Sequence, residues 1–151
     1  MEIERKYLIA KKDLPDSLDN YAHLEIEQAY LCAAPVVRIR KQDTTYYLTY
    51  KSKGLMVREE YNLPLTEDAY LHLREKADGI RIRKTRYKIP LPQGLTIELD
   101  IFHDAHEGLL LAEVEFPDEE TAQTFTPPDW FGEDVTFSSR YHNSTLAYTR
   151  L

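Results

Sequence analysis

One cysteine, Cys32, is all the chain has in 151 residues, so no intrachain disulfide staples it, and a reducing compartment, the cytoplasm, is expected. No apolar run approaches the roughly 20 residues a membrane-spanning helix needs, so no membrane is expected as a partner. The first residues alternate in charge and hold no apolar stretch of the secretory kind, so no signal segment is expected. Positive charge is in deficit: 19 Lys and Arg against 26 Asp and Glu leave a net charge of −7. That balance excludes nonspecific nucleic-acid binding, which needs clustered basic surface. It does not exclude an anionic small molecule, because what matters there is where the basic residues point. P-loop, GxGxxG, HExxH and CxxC patterns are all missing, which removes the common nucleotide and zinc routes. No internal repeat, low-complexity tract or Gly/Ser linker divides the sequence, and one domain over 1–151 is expected.

What is present is tyrosine, 11 of them, with only five glycines, a composition that suits a strand-rich fold. Short stretches of period-two alternation, separated by turn residues, predict strands near 2–9, 24–32, 36–42, 45–52, 57–64, 80–90, 95–102 and 109–116. Helices are predicted over 66–78, with Thr66 as N-cap and Gly79 as stop, over 118–125 opening on Asp118, and over 139–149. Strands without regular crossover helices indicate a mainly β, α+β chain: an eight-stranded antiparallel barrel with flanking helices.

The most informative stretch is Glu2-Ile3-Glu4-Arg5-Lys6. On a strand residues 2, 4 and 6 share a face, about 7 Å apart. Two carboxylates at that spacing repel by roughly 2–3 kcal/mol at an effective dielectric near 20, so a cation or water must offset them. The same punctuation recurs in order: Gln28 and Tyr30, Arg38 and Arg40, Thr49 and Lys51, Arg58, Glu60 and Asn62, Lys84 and Arg86, Glu98 and Asp100, Glu113 and Glu115. The opposite face is apolar: Val37 and Ile39, Leu48 and Tyr50, Ile97 and Leu99, Ala112, Val114 and Phe116. Two readings fit, a sheet face turned to water or the lining of a tunnel. Against the first stand paired like charges at i and i+2, and Arg and Glu in preference to Lys. In a tunnel, rows of Arg and Lys bind phosphate oxygens and clustered carboxylates bind Mg²⁺ or Mn²⁺, so the two together call for a metal–polyphosphate complex.

These residues carry a resemblance. ExExK at 2–6, Glu27-Gln28-Ala29-Tyr30-Leu31, Val37-Arg38-Ile39-Arg40, Leu48-Thr49-Tyr50-Lys51, Lys84-Thr85-Arg86-Tyr87, Glu98-Leu99-Asp100, Ala112-Glu113-Val114-Glu115 and Trp130-Phe131-Gly132-Glu133-Asp134-Val135-Thr136 together resemble the CYTH domain of the triphosphate tunnel metalloenzymes. The likeness runs almost end to end and is greatest to the small bacterial inorganic tripolyphosphatases. It implies metal-dependent hydrolysis of tripolyphosphate to pyrophosphate and phosphate, with one or two Mg²⁺ or Mn²⁺ ions. Metal would be held by Glu2, Glu4, Glu60, Asp100, Glu113 and Glu115. Phosphates would be held by Lys6, Arg38, Arg40, Lys51, Arg58, Lys84 and Arg86. Glu2, Glu4, Lys6 and Lys84 are the expected catalytic groups, Lys84 steadying the leaving group. Relatives often read Glu-Tyr-Glu on the fifth strand, whereas here it is Glu60-Tyr61-Asn62, which puts a second metal position in question. The same tunnel would serve nucleoside or thiamine triphosphate, adenylate cyclisation, or binding without catalysis, and homodimer formation is left open.

Smaller signals are read structurally. His103 and His106 form an HxxH expected in a solvated loop, and Trp130 and Phe131 are expected to anchor the C-terminal segment. Tyr30 is read as packing, with shortening of the tunnel as the alternative. Arg140 is placed either at the tunnel mouth or at a helix cap.

Overall fold

Alternating sequences of this kind bury one face of each strand and must find cover for it, and the cover here is threefold. In the computed structural model, which describes residues 2–54 and 56–149, the strands are β1 (Glu2–Leu8), β2 (Ala22–Ala33), β3 (Val36–Gln42), β4 (Thr45–Lys51), β5 (Val57–Arg58), β6 (Glu60–Leu65), β7 (Asp78–Pro90), β8 (Thr96–Phe102) and β9 (Leu110–Glu115). The helices are α1 (Glu67–Arg74), α2 (Glu119–Thr124) and α3 (Asn143–Leu146). All pairings are antiparallel, in the order β5-β1-β9-β8-β7-β2-β3-β4-β6.

The fifth predicted strand is divided at Glu59, which turns eight strands into nine. The Glu59 N–H donates to Ser52 Oγ and its carbonyl accepts from the Ser52 N–H, so both backbone groups serve the turn out of β4. Val57 and Arg58 then pair with β1 while Glu60–Leu65 pairs with β4. The two ends of the strand order are therefore one stretch of chain, and the sheet is nearly closed into a barrel. Beyond Ile3, the same edge of β1 is covered by residues 132–136: the Leu8 N–H donates to the Glu133 carbonyl and the Val135 N–H to the Lys6 carbonyl. The far edge of β6, which pairs with β4 alone among the described strands, stays open.

Outside the barrel, Ile3, Ile97, Leu99, Ala112, Val114 and Phe116 lie under α2 and the 125–131 stretch, with Trp130 and Phe131 packed against them as expected. Ala29 and Ile39 lie under α1 and its buried Tyr70. A third apolar cluster sits within the barrel at one end, where Tyr30, Ile82, Phe102 and Leu111 receive Leu146 and Ala147 of the C-terminal segment. The inward faces thus change character along their length: Glu115-Glu113-Leu111, Arg86-Lys84-Ile82 and Glu98-Asp100-Phe102 each run from charged to apolar. Apolar packing therefore lies inside the barrel at this end as well as on its outer face.

Thr66 caps α1, its Oγ1 accepting from the Ala69 N–H at 3.1 Å, and Asp118 caps α2 in the same way at 2.7 Å. The predicted 139–149 helix is interrupted at His142, whose extended backbone separates a 3-10 turn at 139–141 from α3. Gly79 does not stop α1, which ends at Arg74; it lies in β7 at φ 70, where any Cβ would strike the Ala147 carbonyl. Gly79→Ala is expected to lower stability by about 1–3 kcal/mol through strain and collision at one site. Hydrogen exchange checks this, with amides of 145–149 losing protection before those of the strands.

His106 is buried rather than solvated. Its Nε2 lies 2.7 Å from the Leu146 carbonyl and 2.8 Å from that of Thr149, and so ties the C-terminal segment to the barrel floor. His103 Nε2 lies 2.8 Å from Thr85 Oγ1 on the outer face. Arg140 is exposed, its guanidinium 5.3 Å from the Tyr141 ring centroid, and caps no helix. No described helix is long and apolar enough to cross a membrane.

Candidate active site in the barrel bore

The charged faces turn inward. A cavity of about 360 Å³ runs through the barrel, lined from β1 by Glu2, Glu4 and Lys6, from β3 by Arg38 and Arg40, and from β4 by Lys51. Arg58, Glu60 and Asn62 follow from β5 and β6, Arg86 and Glu98 from β7 and β8, and Glu113 and Glu115 from β9. Every phosphate-binding candidate except Lys84 lines it, and every metal candidate except Asp100. Those two lie behind the wall. Asp100 is 0% exposed and Lys84 1%, and their charged atoms meet at 2.7 Å. Both Asp100 oxygens also accept from Arg86, Oδ1 from Nε at 2.7 Å and Oδ2 from Nη2 at 2.9 Å. Asp100 and Lys84, expected to contact metal and substrate, thus stand outside the lining: Asp100 makes three cationic contacts, the Lys84 ammonium is held on Asp100 and Asn143, and in this arrangement both support Arg86.

Sequence reading missed part of the lining. Gln42 and Tyr47 contribute from β3 and β4, and His142, Asn143 and Ser144 from the C-terminal segment. Gln42 was detectable, since it continues the 38-40-42 face, and Tyr47 shares its parity with Thr49 and Lys51. Nothing local signals the 142–144 group, which reaches the bore only because His106 and the apolar floor seat α3 there. Tyr30 packs as read, buried against the floor, and it also forms part of the lining.

The bore's charges are unevenly matched. Lys51 Nζ lies 3.0 Å from Glu2 Oε1, and Arg58 Nη2 lies 3.5 Å from Glu2 and 3.4 Å from Glu4. Lys6 lies 3.7 Å from Glu113, and Arg86 3.4 Å from Glu98. Among the described residues, Arg38 and Arg40 have no carboxylate at ion-pair distance; Arg38 meets Thr49 Oγ1 at 3.4 Å, and Arg40 meets Gln28 and Tyr47. Burial, reinforced by the charges of Arg38 and Arg86, brings Arg40 down to about 10.

The carboxylates of β1 and β9 are crowded together beyond what these cations offset. Burial, then the charges of Glu113 and Glu2, push Glu4 well above the usual carboxylate range. Glu2 is raised by burial and by its contact with Glu60, and Glu115 by burial and by Glu2, Glu60 and Glu98. Glu4 and Glu115 are direct cross-strand partners, a placement that is destabilising for like charges. Burial would raise Glu113 too, but Lys6, Arg86 and a hydrogen bond from Glu4 outweigh it and hold it well below. Among the described residues no three acidic, His or Cys side chains already converge as an ion-binding group. The donor set nevertheless fits a hard divalent ion: all oxygen, crowded, and raised above the usual carboxylate range by burial and mutual repulsion.

A nearly closed barrel with guanidinium groups outside any ion pair on one wall and crowded carboxylates on another defines a class of protein, one that binds a polyanion together with a metal. The CYTH domain family matches residues 1–149, and the chain belongs to that family. Membership implies dependence on a divalent metal. The chain is 41% identical over 149 residues to an inorganic triphosphatase of Nitrosomonas europaea, covering 97% of this chain and 96% of that one. It is 37% identical over 150 residues to an inorganic triphosphatase of Acetivibrio thermocellus, covering 96% and 92%. A solved inorganic triphosphatase superposes with a TM-score of 0.73 at 39% identity over 99% of this chain and 95% of that one. A protein from Hippeastrum shares the fold at 18% identity and a TM-score of 0.66, over 82% and 83% of the two chains.

Proposed function

We propose that this protein hydrolyses inorganic tripolyphosphate to pyrophosphate and phosphate inside the barrel, with a divalent ion. One observation supports this above the others: the bore leaves Arg38 and Arg40 without an acid at ion-pair distance, while Glu2, Glu4 and Glu115 stay raised by burial and mutual repulsion even with Lys51 and Arg58 beside Glu2 and Glu4. A polyphosphate chelating a metal ion answers both at once.

Arg38 and Arg40, with Lys6, Lys51, Arg58 and Arg86, hold the phosphate oxygens. Glu2, Glu4 and Glu115, supported by Glu60 and Glu113, would hold the metal. Bound there, an ion such as Mg²⁺ or Mn²⁺ supplies charge neutralisation and Lewis acidity toward phosphate oxygens. Phosphoryl transfer passes through a loose transition state with charge spread over three oxygens, so cations already fixed in place lower its energy without reorganising. Positive charge beside Glu4 favours its ionised form, which burial and the charges of Glu113 and Glu2 disfavour. Asn62, whose Oδ1 accepts from Thr49 Oγ1 at 2.6 Å, carries no charge for a second ion and steadies Thr49 against Arg38. Every group named belongs to one chain, so this chemistry needs no second copy. The free, half-buried Cys32 suits the reducing cytoplasm.

Phosphate release should be greatest with tripolyphosphate among tripolyphosphate, pyrophosphate, ATP and thiamine triphosphate, and should vanish with a chelator. Absence of release from tripolyphosphate with either Mg²⁺ or Mn²⁺ would sink the reading. One feature favours a second reading, a triphosphatase for organic triphosphates. Glu98 and Glu115 also border an open hollow of about 700 Å³ with Leu95, Phe116 and Pro117 in its wall, room for an organic group attached to the last phosphate. Faster release from ATP or thiamine triphosphate than from tripolyphosphate selects it.

A further inference from the structure

Gln28 stands in the fold where a carboxylate would be the ordinary choice. It is 0% exposed, on β2, directly opposite Arg40 on β3. Its Oε1 accepts from Arg40 Nε at 2.9 Å and from Nη2 at 2.6 Å, a fork that fixes the guanidinium plane. Nη1 is left for Tyr47 Oη, at 3.3 Å, on the bore side. Tyr47 Oη in turn donates to Gln42 Oε1 at 3.0 Å, another neutral acceptor. The charged groups acting on Arg40 are the cations Arg38 beside it and Arg86 and Lys84 on β7, against one acid, Glu60 on β6, which feels the charge of Arg38 and Arg40 without reaching ion-pair distance of either. Asp or Glu at position 28 would relieve that crowding, as Asp100 does for Lys84 and Arg86 nearby. A buried guanidinium next to other cations and held by an amide is destabilised in the empty protein, and an anion arriving at contact distance relieves it.

We propose that Gln28 is a positioning residue that aims Arg40 at the phosphate site while leaving its charge unspent. An amide supplies the same two-point acceptance as a carboxylate oxygen without the charge, so direction and attraction are controlled separately. This rests on the phosphate-binding reading above but not on turnover, because the charge of Arg40 acts on bound anion whether or not a bond breaks.

The test compares Gln28→Glu with Gln28→Met. Gln28→Glu keeps the fork and neutralises the guanidinium, so at about pH 8 KM for tripolyphosphate should rise about tenfold or more with kcat within a few-fold, the signature of lost uniform binding. Relative to wild type, that rise should shrink as the pH falls toward about 5 and the introduced carboxyl takes up protons. Gln28→Met loses the aim but not the charge, so its smaller rise should be flat with pH. Calorimetry of tripolyphosphate binding in the presence of chelator should rank the proteins identically; it needs no hydrolysis, and far-ultraviolet dichroism and melting confirm that each is folded. A wild-type KM for Gln28→Glu at every pH, or the same pH-flat rise in both variants, would overturn the proposal. Absence of hydrolysis by wild type, with binding still ranked as expected, would sink the tripolyphosphatase reading alone.

Discussion

Glu4→Gln should lower metal-dependent phosphate release by about a hundredfold or more, the scale of losing one preorganised electrostatic group at a reacting centre. The same variant should melt no lower than wild type without metal. Burial and the charges of Glu113 and Glu2 already push the Glu4 carboxyl up, so ionising it costs the metal-free fold stability. The sign follows from linkage. A carboxyl whose pKa is raised on folding binds more protons folded than unfolded, and stability falls as pH rises from the unfolded value through the folded one. Glu2 and Glu115 act in the same direction. Metal removes this penalty, so the rise in melting temperature given by Mg²⁺ or Mn²⁺ should be larger at about pH 8 than at about pH 5, where protons compete for the same oxygens. In Glu4→Gln both the size and the pH dependence of that rise should diminish. Retention of wild-type turnover and of the full metal-induced shift would remove Glu4 from the metal-holding set.

Asp100→Asn should be the most damaging single change to the fold. Asp100 supplies the counter-charge for two buried cations, Lys84 at 2.7 Å and Arg86 at 2.7 Å. Even with Asp100 present, burial and the neighbouring Arg86 and Arg40 draw Lys84 down to about 7. Removing one member of a buried ionic cluster leaves uncompensated charge, at a cost of about 3–5 kcal/mol. For a chain of this size that is roughly a 10 °C fall in melting temperature. Adding Lys84→Met should recover part of it, since the orphaned ammonium then disappears. Burial opposes ionisation of Asp100, but Arg86 and Lys84 outweigh it and hold its carboxyl below the usual range. Its stabilisation is therefore complete above the unfolded value of about 3.9 and is lost as pH falls through the folded one. Acid titration of stability should be shallower in Asp100→Asn below about pH 4. A melting temperature within 2 °C or so of wild type would show that Lys84 and Arg86 do not depend on Asp100.

Much of the candidate site was legible because strands have a strict period of two. Once Glu2, Glu4 and Lys6 share a face, the parity of every other segment follows from its own alternation, and Arg38, Arg40, Lys51, Glu60, Arg86, Glu113 and Glu115 all line the bore. Parity gives the face but not the depth. Asp100 and Lys84 have the correct parity and still lie outside the lining, because neighbouring Arg86 reaches Asp100 and the apolar floor begins one step further along. His106 misled for a related reason: a turn sequence marks where the chain bends, not what the bend packs against.

Left to itself, the order of residues settled which side chains stand together on each strand, and hence that phosphate- and metal-binding groups would share one surface. It settled the caps at Thr66 and Asp118 too, since those depend on three or four consecutive residues. Tertiary structure alone decided that this surface closes into a bore, through the break at Glu59 and the run of 132–136 along β1. It also decided that α3 floors one end, and that Arg38 and Arg40 are left without an acid at ion-pair distance while Asp100 is consumed by its neighbours. The physical reason is range: alternation and capping are written within a few residues, whereas ion pairing and closure join groups that meet only after strands distant in the chain have found their register.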